Sequence, residues 1–258
     1  MSAKTGTPAA TAKSGYWYES AQPLASLAFA APLLVSYEIG VLVLGPQAIR
    51  NAADVWLRRL LDLLGFTQYF LLPIVACGLL LAWHHLERQP WRFRWSVLYG
   101  MLIESLAFGF LLVLVAGWQS RLFTGEHPAC AAGEAEGGAP LAATVVAYLG
   151  AGIYEEVLFR LTLLPAAAWG CRVSGLSWRA SWVTGAVATS LLFAVAHYQL
   201  DFTLLGWHFA MQQGEVFAWS SFAFRLLAGL AFSALFLFRG FGVTAGTHAA
   251  YDLFTLLV

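Results

Sequence analysis

The 258-residue chain is 60% hydrophobic and only 11% charged, against about 25% charged in ordinary soluble domains, and it carries 19 Phe and 11 Trp. Fourteen basic side chains balance fourteen acidic ones, which leaves no basic face for nucleic acid and no acidic tail for a cationic partner. Cys77, Cys130 and Cys171 form neither a CxxC pair nor a metal-ligand spacing, and their odd number argues against a disulfide framework.

This is the composition of an integral membrane protein. Residues 1–22, with Lys4 and Lys13, read as a flexible N-terminal tail, and 23–258 as a single membrane domain. The apolar run after Pro23 is too long for a signal-peptide core and reads as the first span. Stretches of the roughly 20 apolar residues needed to cross a bilayer fall at 24–44, 67–84, 96–118, 141–168, 180–200, 216–238 and 241–258. The fold class expected is therefore all-α, a polytopic bundle of about seven transmembrane helices. Between the first two spans, Val55, Leu57, Leu60, Leu61 and Leu64 recur at helical spacing, with Arg50 and Asp54 ahead of them and Arg58, Arg59 and Asp62 between them. That segment reads as an amphipathic helix lying in the interface.

Basic residues set orientation. Lys4 and Lys13, then Arg88, Arg92 and Arg94, then Arg172 and Arg179, then Arg239 all fall at span ends on one side, while 119–140 and 199–214 are poor in bases. The N-terminus is accordingly expected in the cytoplasm, and the Ala/Gly/Trp-rich composition points to a bacterial inner membrane. The three arginines of 45–66 run against this bias.

Within the spans stand side chains that lipid disfavours, at roughly 2.5–3.5 kcal/mol for a charge at mid-helix. Glu156 and Arg160 are four residues apart and share a helix face, which predicts an ion pair that fixes the helix. Glu155 is rotated about 100° from its neighbour and is expected to point elsewhere. Phe193 lies one turn before His197 and can shield its imidazole. His248 and Asp252 share a face of the last span. Glu38, Glu104 and Arg225 read as structural charge partners, Glu104 with Arg225 or Arg160.

In order and spacing, Glu155-Glu156-Val157-Leu158-Phe159-Arg160, then Phe193 to His197, then His248 to Asp252 resemble the CPBP family, the CAAX proteases and bacteriocin-processing enzymes. The resemblance covers about 145–256. It implies a glutamic intramembrane protease that needs no metal or other cofactor, with Glu155 and His197 polarising a water and His248 with residue 252 stabilising the oxyanion. Glu156, Arg160 and Phe193 would support them. The substrate implied is a membrane-associated protein or peptide cut within or at the surface of the lipid bilayer. The commonest family pattern has Asn at the last position, where this chain has Asp252; an ionised aspartate would repel an oxyanion, so Asp252 is expected to orient and charge His248 instead.

Two other readings fit the same residues. Glu155, His197 and His248 could ligate a catalytic zinc with one open position, although no HExxH or close His pair is present. The buried charges could also form an ion relay or docking surface in a non-catalytic scaffold or transporter.

Overall fold

The computed structural model describes residues 15–124, 140–204, 207–211 and 214–258. Lys4, Lys13, Glu126, His127, Cys130, Glu134 and Glu136 lie outside the described residues, as do the side chains of Asp201, Trp207 and His208.

The chain opens with a short helix α1 (Tyr16–Ser20), so residues 15–22 depart from the flexible tail expected over 1–22. The reason is a buried cation. Arg239 donates to Ser20 Oγ (2.8 Å) and to the carbonyl of Trp17 (3.1 Å), and its guanidinium lies 4.0 Å from the Trp17 ring centroid. Pro23 then starts α2 (Pro23–Leu44) in the first helical position, where its missing N–H costs nothing, and Gly45 at φ 53° ends it.

The amphipathic segment forms α3 (Ala52–Leu63), capped by Asn51, whose Oδ1 accepts from the Ala53 N–H at 2.8 Å. It is tied to the bundle by more than an apolar face. Asp54, fully buried, accepts from Tyr37 Oη (2.8 Å), Arg50 (2.9 Å) and Arg58 (2.6 Å). Arg58 continues to Glu38 at 3.1 Å, and Glu38 accepts from the hydroxyl of Tyr154. A charge left alone here would be costly, and each member of this network neutralises or bonds another.

The helices α4 (Leu71–Leu86), α5 (Trp95–Thr124) and α6 (Leu141–Gly150) follow, α6 running on through two π-helical segments, Ala151–Glu155 and Val157–Leu163, into α7 (Leu164–Val173). Then comes α8 (Trp178–Val195), capped by Ser177. An antiparallel hairpin, β1 (Leu200–Leu204) with β2 (Trp207–Met211), interrupts the helices, with Leu200 opposite Met211 and Leu204 opposite Trp207.

The last element, α9 (Trp219–Thr255), has a non-helical residue, Gly240, at φ 80° and ψ 175°. In one straight helix Phe232 and His248 would stand about 24 Å apart at 1.5 Å per residue. Their rings instead stack with centroids 4.5 Å apart and planes 16° from parallel. The chain therefore reverses at Gly240 into two arms, 219–239 and 241–255. Only glycine fits that turn: its φ is positive, and a Cβ would lie 2.8 Å from the carbonyl oxygen of Ala21.

Counting the arms separately, the helices follow the seven spans read from hydropathy. Four segments, Pro23–Gln47, Trp95–Phe123, Leu141–Val173 and Trp219–Thr255, are long and apolar enough to cross a membrane outright. Their outward faces carry exposed Val35, Ile39, Val43, Ile103, Phe110 and Leu114, the surface that lipid covers. The interior is built around Tyr37, Ile153, Tyr154, Leu164 and Phe241, with a second cluster of Phe159, Phe193, Phe224, Phe232 and Tyr251 beside the buried charges.

Candidate active site

The two glutamates lie at the junction of the π segments. Glu155 ends the first segment, Glu156 is the residue between, and Arg160 lies in the second. Thr162 Oγ1 reaches the carbonyl of Val157, five residues back, at 2.8 Å. A π turn holds more residues than an α turn, so neighbours fan apart by less than the α-helical 100°. Glu155 keeps partners of its own, Asn51 and His197, as its rotation from Glu156 predicts, yet it also shares one with Glu156. Both carboxylates come to one imidazole, that of His248, one at each ring nitrogen.

Close backbone approach makes this possible. A Cβ on Gly152 would lie 2.6 Å from the Ala249 Cβ and 2.7 Å from the Ala249 nitrogen, one residue from His248. Glycine at 152 therefore lets the π segment and the 241–255 arm touch.

On the inner side Glu156 Oε1 accepts from Arg160 at 3.0 Å and from His248 Nδ1–H at 2.7 Å. Neither Glu156 nor Arg160 is more than 1% exposed. Arg160 also donates to the Gly229 carbonyl at 3.1 Å, and its guanidinium lies over the rings of Phe193 (4.3 Å) and Phe232 (5.3 Å). The ion pair expected from the i, i+4 spacing is present. Its carboxylate in addition holds a histidine 92 residues further along the chain.

His197 lies just past α8, in the turn that follows Val195 rather than inside a helix continuing to residue 200. Its Nδ1 is 2.6 Å from the carbonyl oxygen of Phe193. A carbonyl only accepts, so Nδ1 carries the hydrogen and Nε2 is left to face the site. The Phe193 ring packs beside the imidazole at 4.8 Å, the shielding that the spacing predicts.

Glu155 sits where these groups meet. Oε1 accepts from Asn51 Nδ2 at 2.7 Å. Oε2 lies 3.7 Å from His197 Nε2 and 3.8 Å from His248 Nε2, and it has no hydrogen-bond partner among the described residues although it is buried. Asp252 Oδ2 stands 3.6 Å from His248 Nε2. Glu155, His197, His248 and Asp252 are thus brought to one small volume, walled by Phe193, Phe232 and Arg160.

The other buried charges lie elsewhere. Glu104 pairs with neither Arg225 nor Arg160 but with Arg239, at 2.5 and 2.7 Å, and accepts from Tyr16 Oη at 2.5 Å. Arg239 reads as a loop charge because the hydropathy run ends before it, yet the helix continues through it and the turn at Gly240 buries it. Arg225 pairs with Glu215, and Glu38 with Arg58.

Sequence reasoning misses Asn51. Its only local signal is a good N-cap residue ahead of an amphipathic run, and that says nothing about a contact 104 positions away.

Among the described residues no group of three or more His, Cys, Asp or Glu is arranged to hold a metal ion. Comparison with curated proteins and with solved structures returned no match. A family model does match, over residues 137–254, with the description Type II CAAX prenyl endopeptidase Rce1-like. The matched stretch carries Glu155, Glu156, Arg160, Phe193, His197, His248 and Asp252 in the order that suggested the CPBP resemblance. What this membrane protein is similar to over residues 137–254 is thus the Rce1-like, type II CAAX prenyl endopeptidase family.

Proposed function

We propose that the protein is an intramembrane endopeptidase that cleaves a membrane-associated protein or peptide with an activated water and no covalent intermediate. One observation carries this reading: the buried, unbonded Oε2 of Glu155, flanked at 3.7 and 3.8 Å by the Nε2 atoms of two histidines. Those distances are too long for direct hydrogen bonds, and in the proposed reaction a slight parting of these groups admits the water between them. With Nδ1–H given to Phe193, neutral His197 offers an acceptor at Nε2. A water donating one hydrogen to Glu155 Oε2 and the other to His197 Nε2 aims a lone pair at a substrate carbonyl.

Glu155 takes the proton as the water oxygen bonds to the carbonyl carbon. His248, its Nδ1–H held by Glu156, donates from Nε2 in its imidazolium form to the carbonyl oxygen as that oxygen becomes negative. Glu155 then returns the proton to the departing amine nitrogen as the C–N bond breaks. Three carboxylates, Glu155, Glu156 and Asp252, stand around His248 as counterions.

The family's description makes a prenylated peptide the first substrate to try. Cleavage by purified protein in vesicles is expected to survive chelation within about twofold, whereas a zinc enzyme loses its nucleophile with its metal. Loss of activity on chelation, restored by zinc, overturns the mechanism in favour of the zinc reading.

Asp252 supports His248 from 3.6 Å without a hydrogen bond. An asparagine in its place would fill the same space and could donate to the oxyanion directly. Asp252→Asn is therefore expected to keep kcat/KM within about tenfold, the directly donating amide offsetting a charge contact worth about 4–5 kcal/mol at an effective dielectric of about 20. A fall beyond about 10²-fold, on the scale of a lost acid or base, would assign the carboxylate an indispensable part.

We also place the N-terminus in the cytoplasm of a bacterial inner membrane. Two of the three arginines that run against the charge bias lose their weight against this orientation once their partners are known, as Arg239, bound to Glu104, loses its weight in favour. Arg50 and Arg58 are bound to Asp54 and Glu38 inside the protein, and a neutralised arginine exerts little pull on topology.

A further inference from the structure

Resting on the peptidase reading, we propose that Asn51 is a positioning residue for Glu155, and that the interfacial helix α3 thereby sets the aim of the base. Asn51 lies far outside the stretch that matches the family model. The orientation of its amide is fixed from both ends. Oδ1 accepts from the Ala53 N–H at 2.8 Å as the helix cap, which turns Nδ2 toward Glu155 Oε1 at 2.7 Å. The reverse orientation would lose the cap and set two acceptors face to face.

A carboxylate held at one oxygen has little freedom at the other. With Oε1 on Asn51, Oε2 falls between His197 and His248, where a water can be shared. Remove the donor, and Glu155 can swing toward either imidazole. A direct ion pair with His248 Nε2, now 3.8 Å away, would take up both the base and the oxyanion donor.

Asn51 is itself held by α3, and α3 is held by the site helix. Asp54 binds Arg50, Arg58 and Tyr37, Arg58 binds Glu38, and Glu38 receives the hydroxyl of Tyr154, the residue before Glu155. The loop of contacts is closed, so the position of Asn51 relative to Glu155 does not depend on one bond. At the far end of α3, Leu60, Leu63 and Leu64 are exposed, Leu63 by 85%, an apolar edge suited to lipid at the interface.

The test uses Asn51→Ser and Asn51→Thr. Both keep a good cap for α3 and both lose the amide donor. Turnover of a farnesylated fluorogenic peptide is measured in phosphatidylethanolamine/phosphatidylglycerol vesicles, beside thermal unfolding. Both variants are expected to lose about 10²-fold in kcat, the scale of an ångström-sized misplacement of a reacting group, with KM and melting temperature close to those of the wild type. A merely structural cap predicts full kcat in both, and that result overturns the proposal.

A second measurement needs no substrate. The carboxylate stretch of Glu155, assigned by infrared difference against Glu155→Gln, is expected to shift in Asn51→Ser. An unshifted band overturns the positioning proposal by itself, whereas equal turnover by wild type and Glu155→Gln overturns the peptidase reading beneath it.

Discussion

Glu155→Gln is expected to lower kcat/KM by about 10³-fold or more while leaving the protein folded, within the range that a lost general base accounts for. The substitution is nearly isosteric, and the amide oxygen can still accept from Asn51. It removes what the proposed chemistry needs at Oε2, an anionic acceptor that can hold a proton and later give it back. Alanine would be a poorer probe, because it would also strand the Asn51 donor and open a cavity beside His248. Two measurements check the expectation: turnover of the prenylated peptide in vesicles, and comparison of protein termini in membranes carrying wild-type or Glu155→Gln protein. One protein whose terminus changes would name the natural substrate. Retention of activity within about tenfold would leave Glu155 a structural carboxylate and restore the scaffold reading, in which neither Glu155 nor His197 has to react.

What the sequence made legible was local. Glu156 with Arg160, Phe193 with His197 and His248 with Asp252 each lie one helical turn apart, and the structure brings each pair together at 3.0 Å, 4.8 Å between rings and 3.6 Å. The turn at Gly240 was legible as the break between the last two apolar runs. What escaped was everything that periodicity does not carry. The π segments have no hydropathy signature, so the meeting of both glutamates at His248 was not legible. Arg239 sat at the end of a run and counted as a loop charge until the reversal of α9 buried it against Glu104. Asn51 reaches its partner across 104 residues, and nothing in a single chain marks such a pair. The amphipathic pattern of α3 is legible as an interfacial helix, but not what its polar residues bind. They are a network that ties α3 to the site helix.

Arg160→Met separates the two tasks that converge on Glu156. Arg160 is 1% exposed and Glu156 not at all. Removing the cation leaves a carboxylate buried with only His248, and leaves the Gly229 carbonyl without its donor. Breaking one side of a buried pair costs about 3–5 kcal/mol, a large share of the roughly 5–15 kcal/mol that holds an ordinary domain together. The single variant is expected to melt far below the wild type or to fail to accumulate in the membrane. Neutralising both partners, as Glu156→Gln with Arg160→Met, removes the uncompensated charge. Such replacements are often neutral or stabilising, so the double variant is expected to recover most of the lost stability. It should not recover activity. His248 then loses the carboxylate that holds its Nδ1–H at 2.7 Å and favours the charged ring, and kcat should stay about 10²-fold or more below wild type, the scale of one lost oxyanion donor. Melting temperature and turnover measured on the same two preparations decide the matter. Recovery of both would make Glu156 only a partner for Arg160, while recovery of stability alone would show that the ion pair exists to present its carboxylate to His248.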